Sequence, residues 1–181
     1  MTTLYRETVS TPIGKLLLVA TDRGLCAVEY TSTKRERILS TRIARYFSPA
    51  VLTDHANDHI TAAREWIDKY FRGEFRTLSK LRFDQRGSDF ELKVWRRMAR
   101  IPLGRKASYA DLARAVGSPK AARAVGNASR SNPLSLVIPC HRVVGTSGDL
   151  TGYGGGLDRK SWLLDHESAT PATRPNQAEM H

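Results

Sequence analysis

A chain of 181 residues, 40% apolar and 26% charged, is long enough for one ordinary domain or two small ones and too rich in apolar side chains for wholesale disorder. No stretch approaches the run of about eighteen apolar residues that spans a bilayer, and the first residues lack a charged-then-apolar leader. The expectation is a soluble, cytoplasmic protein with no membrane partner, carrying a net charge of +11 whose placement has to be explained.

The first thirty residues alternate as strands do, over 4–9, 15–20 and 25–30. Thr11-Pro12-Ile13-Gly14 and Asp22-Arg23-Gly24 supply the turns, which makes an antiparallel meander. Helical spacing follows over 37–47, through Ile38, Ile43 and Phe47, and over 60–71, through Ala63, Ile67 and Phe71, with Gly73 as a stop. Residues 78–83 read as a returning strand, and Arg86-Gly87 as a hinge. Ser88 and Glu91 form an S-x-x-E capping box that starts a helix at Asp89, and Ile101-Pro102 ends it near Arg100. A second helix reads over 108–116, stopped by Gly117; Pro119 opens a third over 120–130. The last two form a helix-turn-helix. The short apolar run 136–138, a glycine-rich loop over 152–156, a helix over 157–167 and a disordered polar tail over 168–181 complete the chain. The fold class expected is α+β: an N-terminal domain over 1–86 with an antiparallel sheet and helices, then a mostly helical domain over 87–167.

The basic residues are not spread evenly. Between Lys93 and Arg142 eleven cations face the single acid Asp111, a local +10, so the rest of the chain is nearly neutral. A surplus packed into one window is the footprint of a polyanion, nucleic acid first. An anionic membrane surface would need an amphipathic helix with a broad apolar face, and none is found.

Two cysteines without a leader read as free thiols rather than a disulfide. Cys26 falls in a strand pattern and reads as core. Cys140 is followed by His141 and Arg142, which favour a thiolate, and Pro139 restricts the backbone before it. Taken alone, Cys-His is weak, and a small buried hydrophobe after Leu-Val-Ile is the stronger reading of the thiol. Its position beside a helix-turn-helix in the basic window favours function. Cys26, His55 and His59 fall short of a tetrahedral metal set, and no cofactor motif is present, so neither metal nor cofactor is expected.

Several stretches appear in a fixed order: Ser108-Tyr109, Lys120-Ala121-Ala122-Arg123-Ala124-Val125-Gly126, Asn132-Pro133, Ile138-Pro139-Cys140-His141-Arg142-Val143, Tyr153, Gly155-Gly156-Leu157, and Trp162-Leu163-Leu164 with Glu167. Together they resemble the O6-alkylguanine-DNA alkyltransferase family; Thr11-Pro12-Ile13-Gly14 and Tyr70-Phe71-Arg72-Gly73-Glu74 extend the resemblance more loosely to the first half. The resemblance implies a ribonuclease-H-like first domain and a suicide reaction, in which Cys140 takes an alkyl group from O6 of guanine, with O4 of thymine left open. His141 would be the base, acting through a water, Glu167 its orienter and Asn132 a brace for the turn. Arg123 would fill the base stack vacated by a flipped guanine, since O6 cannot meet a sulfur inside a duplex. The small residues around it, Ala122, Ala124 and Gly126, would let that helix enter a minor groove about 6 Å wide, with Arg130 a further DNA contact. Tyr109 would crowd a phosphate and help the base leave. Val143, Tyr153, Gly154 and Pro139 would line the base pocket, roomy because Gly154 stands where some members have serine. The partner implied is double-stranded DNA bound by a monomer, with cooperative assembly on DNA left open. A transcriptional regulator or non-catalytic lesion sensor would have no use for Cys140, and a cysteine hydrolase no use for the basic window or Arg123.

Overall fold

The computed structural model describes residues 1–75 and 78–169, so the tail expected over 168–181 lies outside the described residues beyond Ala169. The chain forms two compact units: Met1–Arg86 with Pro133–Ser135, and Gly87–Asn132 with the chain from Leu136 on.

The first unit is built on a four-stranded sheet of β1 (Thr2–Thr11), β2 (Gly14–Ala20), β3 (Leu25–Tyr30) and β4 (Ala50–Thr53), in the order β3-β2-β1-β4. The antiparallel meander of the first three strands is as expected, with Tyr5 opposite Ala20 and Leu18 opposite Val28. β4 was not anticipated. It lies parallel to β1 at the sheet edge, and its four residues after Pro49 are too short to show a period of two.

The two helices keep their expected faces but begin earlier than their apolar spacing shows. α1 (Thr33–Tyr46) is capped by the Ser32 hydroxyl and α2 (Asp58–Phe71) by the Asn57 carboxamide, each accepting a backbone N–H of the first turn. α2 buries Ile60, Ala63, Ile67 and Tyr70 against the sheet, while Leu39 and Phe47 join Leu4, Val19, Cys26 and Ala27 in a core cluster. Cys26 is thus a core residue, its thiol pushed up to about 12 chiefly by burial. A buried ion pair ties α1 to β3: Arg35 donates from Nη2 to Glu29 Oε2 at 2.7 Å and from Nε to Oε1 at 2.9 Å.

The returning strand expected over 78–83 does not form. Leu78–Lys80 is a single 3-10 turn, after which the chain makes only an isolated bridge, Phe83 to Leu25. The segment has no β-branched residue to favour extension. It is held instead by close approach: a Cβ on Gly24 would lie 2.6 Å from the Arg82 carbonyl, which accepts the Leu25 N–H at 2.8 Å.

The second unit packs α3 (Asp89–Ala99), α4 (Tyr109–Ala115) and α5 (Ala122–Arg130) against one another. The Ser88–Glu91 capping box forms as read, and an unforeseen Ser108–Asp111 box starts α4. α5 starts later than Lys120. Pro119 sits inside a turn closed by Ala121 N–H to Ser118 C=O at 2.8 Å, so it precedes the helix instead of opening it. Trp95 Nε1 donates to the Ala128 carbonyl at 2.8 Å, fixing α3 on α5. A short parallel ladder then pairs β5 (Ala107–Ser108) with β6 (Val143–Val144), and α6 (Leu157–Ser168) closes the unit.

Candidate active site

The β5–β6 ladder brings together two segments far apart in sequence. Ala107 lies opposite Val143 and Ser108 opposite Val144. Tyr109 therefore opens α4 just beyond one strand, while Cys140–Arg142, a 3-10 turn capped by Pro139, ends just before the other. Cys140 is 7% exposed, and His141 and Arg142 are buried.

The turn is braced from below. Asn132, fully buried, donates from Nδ2 to the Ile138 carbonyl at 3.0 Å. Within that arc Leu136 adopts a φ of +70°, a left-handed conformation that costs a branched side chain roughly 1–2 kcal/mol. The apolar run 136–138 is thereby bent towards the cysteine rather than extended.

α6 supplies the other wall. Its buried face is Lys160, Leu163 and Glu167, at i, i+3 and i+7. A carboxylate in the last helical turn opposes the helix dipole, and Glu167 meets strong partners there. Its Oε1 lies 2.7 Å from His141 Nε2, and Arg142 donates to it from Nε (2.9 Å to Oε2) and from Nη2 (2.9 Å to Oε1). Burial works to raise the Glu167 carboxyl, but His141 and Arg142 together outweigh it and hold the group well below the usual carboxylate range. Burial also dominates at His141, lowering the imidazole against the pull of Glu167. The ring is therefore neutral at neutral pH, with Nε2–H donating to the carboxylate. Its Nδ1 is buried and has no hydrogen-bond partner among the described residues. A neutral imidazole with a free lone pair, oriented by a charged carboxylate, is the arrangement of a general base.

Arg142 is also a structural anchor. Its guanidinium binds Glu167 and donates from Nη1 to the Ile101 carbonyl at 2.6 Å, which fixes the carboxylate beside His141. A further cation, Lys160, which sequence reasoning missed, interacts electrostatically with Cys140. Its Nζ donates to the carbonyls of Val143 and, at 2.9 Å, Thr151; burial lowers its pKa to about 8. The Thr151 carbonyl also accepts from the Tyr109 hydroxyl at 3.0 Å, so one carbonyl joins lysine and tyrosine. Burial raises the Tyr109 phenol, which stays a donor. The overlooked signal is the period: Lys160 is seven residues before Glu167 on the face that buries Leu163.

Models of two families match the chain in succession. The ribonuclease-like domain of 6-O-methylguanine DNA methyltransferase matches residues 4–85, and the DNA-binding domain of the same proteins matches 89–169. The chain belongs to the 6-O-methylguanine DNA methyltransferase family. A methylated-DNA–protein-cysteine methyltransferase of Mycolicibacterium paratuberculosis is 44% identical over 162 residues, covering 88% of this chain and 89% of that protein. The one from Methanosarcina barkeri is 35% identical, covering 91% and 97%. Among solved structures, the O6-methylguanine methyltransferase of Mycobacterium tuberculosis superposes with a TM-score of 0.79 at 34% identity, covering 94% of this chain and 96% of that one. The same organism's protein in complex with DNA gives 0.77 with the same coverage.

The other residues that family resemblance singled out divide between two places. Arg123, Ala124 and Arg130 are exposed on α5, Ala122 and Gly126 half-buried. They are linked to the cysteine side through Tyr109, whose ring lies 3.8 Å from a Cβ built on Gly126 and whose hydroxyl reaches Thr151 and Gly152. Val143 and Pro139 are buried beside the Cys140 turn, whereas Tyr153 is half-buried and Gly154 exposed in the loop before α6. Among the described residues no three His, Cys, Asp or Glu side chains are grouped to hold a metal, and no helix is long and apolar enough to cross a membrane.

Proposed function

We propose that this chain repairs DNA directly, moving an alkyl group from O6 of guanine onto Sγ of Cys140, once per molecule. The observation that carries the reading is the buried His141–Glu167–Arg142 network on the same turn as the nearly buried thiol. His141 takes the thiol proton, through a water, and Glu167 stabilises the imidazolium. The thiolate attacks the alkyl carbon in line; the C–S bond forms as the C–O bond breaks, its electron pair leaves with guanine, and the proton that His141 took returns through water to guanine, leaving the imidazole neutral. The product is a thioether that no group in the site can cleave, so the protein is consumed.

DNA is the partner, and the finer reading concerns how it is held. α4 and α5 act as a helix-turn-helix; α5, with Ala122, Ala124 and Gly126, enters the minor groove, with Arg130 as a further contact. Arg123 takes the place of the flipped base, and Tyr109 presses on the phosphate and assists departure of guanine. Val143, Pro139, Tyr153 and Gly154 enclose the base, with room for groups larger than methyl. The exposure of Arg123 and Ala124 on α5 and the placing of Tyr109 between α5 and Thr151 support this. The catalytic domain runs over 87–167 behind an α/β domain over 1–86, and a monomer in the cytoplasm suffices.

The test is intact mass after mixing with a duplex carrying O6-methylguanine. The wild type gains one methyl group on the peptide containing Cys140. Cys140→Ser gains none while binding the duplex nearly as tightly; a variant that still gains the mass overturns the assignment.

A further inference from the structure

The basic window contains more cation than α5 displays. On α3 and its C-cap, Lys93, Arg96, Arg97 and Arg100 are all exposed, at i, i+3, i+4 and i+7. At 100° per residue they form one stripe, centred nearly opposite the buried face of Val94, Trp95, Met98 and Ala99. Arg105 and Lys106 follow in the next loop, also exposed.

Neutralisation within the protein does not account for the stripe. Some arginines elsewhere have carboxylates, Arg64 with Glu7, Arg86 with Asp84, Arg72 with Glu74 and Arg114 with Asp111; the α3 cations differ in being gathered on one helix face. None of the six cations on α3 and its following loop has an ion-pair partner among the described residues. Favourable contact with the helix C-terminal dipole explains Arg97 and Arg100 but not Lys93, in the middle of the helix. Arg97, Arg100 and Lys106 also converge on a cavity of about 260 Å³ beside Pro102, large enough for a phosphate group. The one acid on its wall, Asp111, is already held by Ser108 and Arg114.

The direction of the stripe decides its partner. α3 and α5 meet through their buried faces, Trp95 against Ala128. The exposed side of α5, with Arg123, Asn127 and Arg130, is turned the other way on its own axis from buried Val125, Ala128 and Ser129. A duplex seated on α5 therefore lies on the far side of the helix pair from the α3 cations.

We propose that the exposed face of α3, with Arg105 and Lys106, is a second DNA site, which grips the phosphodiester backbone of a duplex segment other than the one on α5. The stripe is about 10 Å long, from seven residues at 1.5 Å rise, and spans about three successive phosphates of one strand. Its contacts are to phosphate alone, so the site is sequence-independent and weakens steeply with salt. One molecule can then touch a neighbouring segment before it leaves the first, shortening the search for a rare lesion. The proposal rests on DNA being the partner but not on Cys140 chemistry.

The test is a sandwich. A duplex tethered to beads captures the protein, and a labelled short duplex is then added at low salt. The wild type retains the label with one protein per pair of duplexes. The variant Lys93→Gln/Arg96→Gln/Arg97→Gln/Arg100→Gln loses about tenfold of the retained label, while its alkylation by a short O6-methylguanine duplex stays at the wild-type rate, which also shows that it is folded. Equal retention by variant and wild type overturns the proposal, as does retention with two proteins per pair, which means that protein contacts bridge the duplexes. A variant that also loses alkylation of a short duplex, yet melts like the wild type, places the stripe in the first duplex's footprint and overturns it too. Should the variant melt early, Arg97→Gln/Lys106→Gln is read by the same criteria. Polyglutamate that displaces the label as effectively as unlabelled duplex overturns the choice of DNA. Should Cys140 never become alkylated, the sandwich still reads the second site.

Discussion

Glu29 and Glu167 are the two buried carboxylates among the described residues, one in each unit, and both meet an arginine through two hydrogen bonds. Their ionisation nevertheless goes opposite ways. At Glu29 burial prevails over Arg35, and the carboxyl is raised. At Glu167 burial loses to His141 and Arg142 combined, and the carboxyl is lowered. At Glu29 the Arg35 guanidinium, the Tyr30 backbone N–H and nearby Arg42 all favour the charged form yet do not offset the loss of water; at Glu167 the combination of His141 and Arg142 does. The first pair fastens a helix to a sheet. The second holds a negative charge against an imidazole, as the proton transfer proposed for this site requires.

The largest effect that follows is on rate. Glu167→Gln keeps the shape but removes the charge that orients His141 and stabilises its protonated form. Single-turnover alkylation should slow by roughly 10²-fold or more, the usual share of general acid–base catalysis. Glu29→Gln, the matched change in the other unit, should leave the rate per folded molecule unaltered. Comparable rate losses in the two variants would mean that both act only through folding.

On stability the two variants should look alike. Each strands a buried guanidinium, which costs about 3–5 kcal/mol. Denaturant melts should therefore show Glu29→Gln and Glu167→Gln weakened to a similar degree. A stable Glu167→Gln would mean that Arg142 finds enough partners in the Ile101 carbonyl and its other neighbours, and the anchoring role given to Arg142 would fail.

The same comparison shows what a sequence makes visible. The meander, the Ser88 box and the order of motifs around Cys140 were legible because each depends on residues near one another in the chain. Glu167 was legible through the family resemblance, and its place in a last helical turn, where an acid opposes the dipole, accords with its need for a partner. β4 and the 3-10 turn at Leu78 were not, since one is too short to show a period and the other is held by close approach at Gly24. The anchoring by Arg142 and the part played by Lys160 depend on which carbonyls the fold delivers, Ile101 for one and Val143 and Thr151 for the other.

A smaller effect separates α5 from the cysteine side. Arg123→Ala should slow duplex repair at saturating protein by at least roughly tenfold, because unpairing a base costs a few kcal/mol and each 1.4 kcal/mol or so is a decade in rate. With free O6-benzylguanine, which leaves no stack, the variant should react nearly as fast as the wild type. Lys160→Met should slow both substrates, since it loosens the Thr151 carbonyl that also holds Tyr109. Equal wild-type and Arg123→Ala rates on saturated duplex would remove Arg123 from the mechanism.

The smallest effect is a slope, and it tests the opening comparison most directly. Stability rises with pH wherever the unfolded chain binds more protons than the folded one. His141, lowered from 6.5 by burial, binds fewer protons when folded, so its contribution is lost as pH falls below 6.5. Glu29, raised from 4.5, binds more protons when folded, so its contribution is lost as pH climbs above 4.5. Between pH 4.5 and 6.5 the two oppose each other, histidine giving a positive slope and glutamate a negative one. Denaturant melts across that window should show His141→Gln with a shallower dependence than the wild type and Glu29→Gln with a steeper one. Groups that do not touch the mutated residue cancel in each difference; Glu167, which His141 helps to hold low, rises in His141→Gln and moves that slope in the same direction. If both variants shift the slope in the same direction, the opposite ionisation of the two units is wrong, and with it the neutral imidazole that the proposed proton transfer from Cys140 requires.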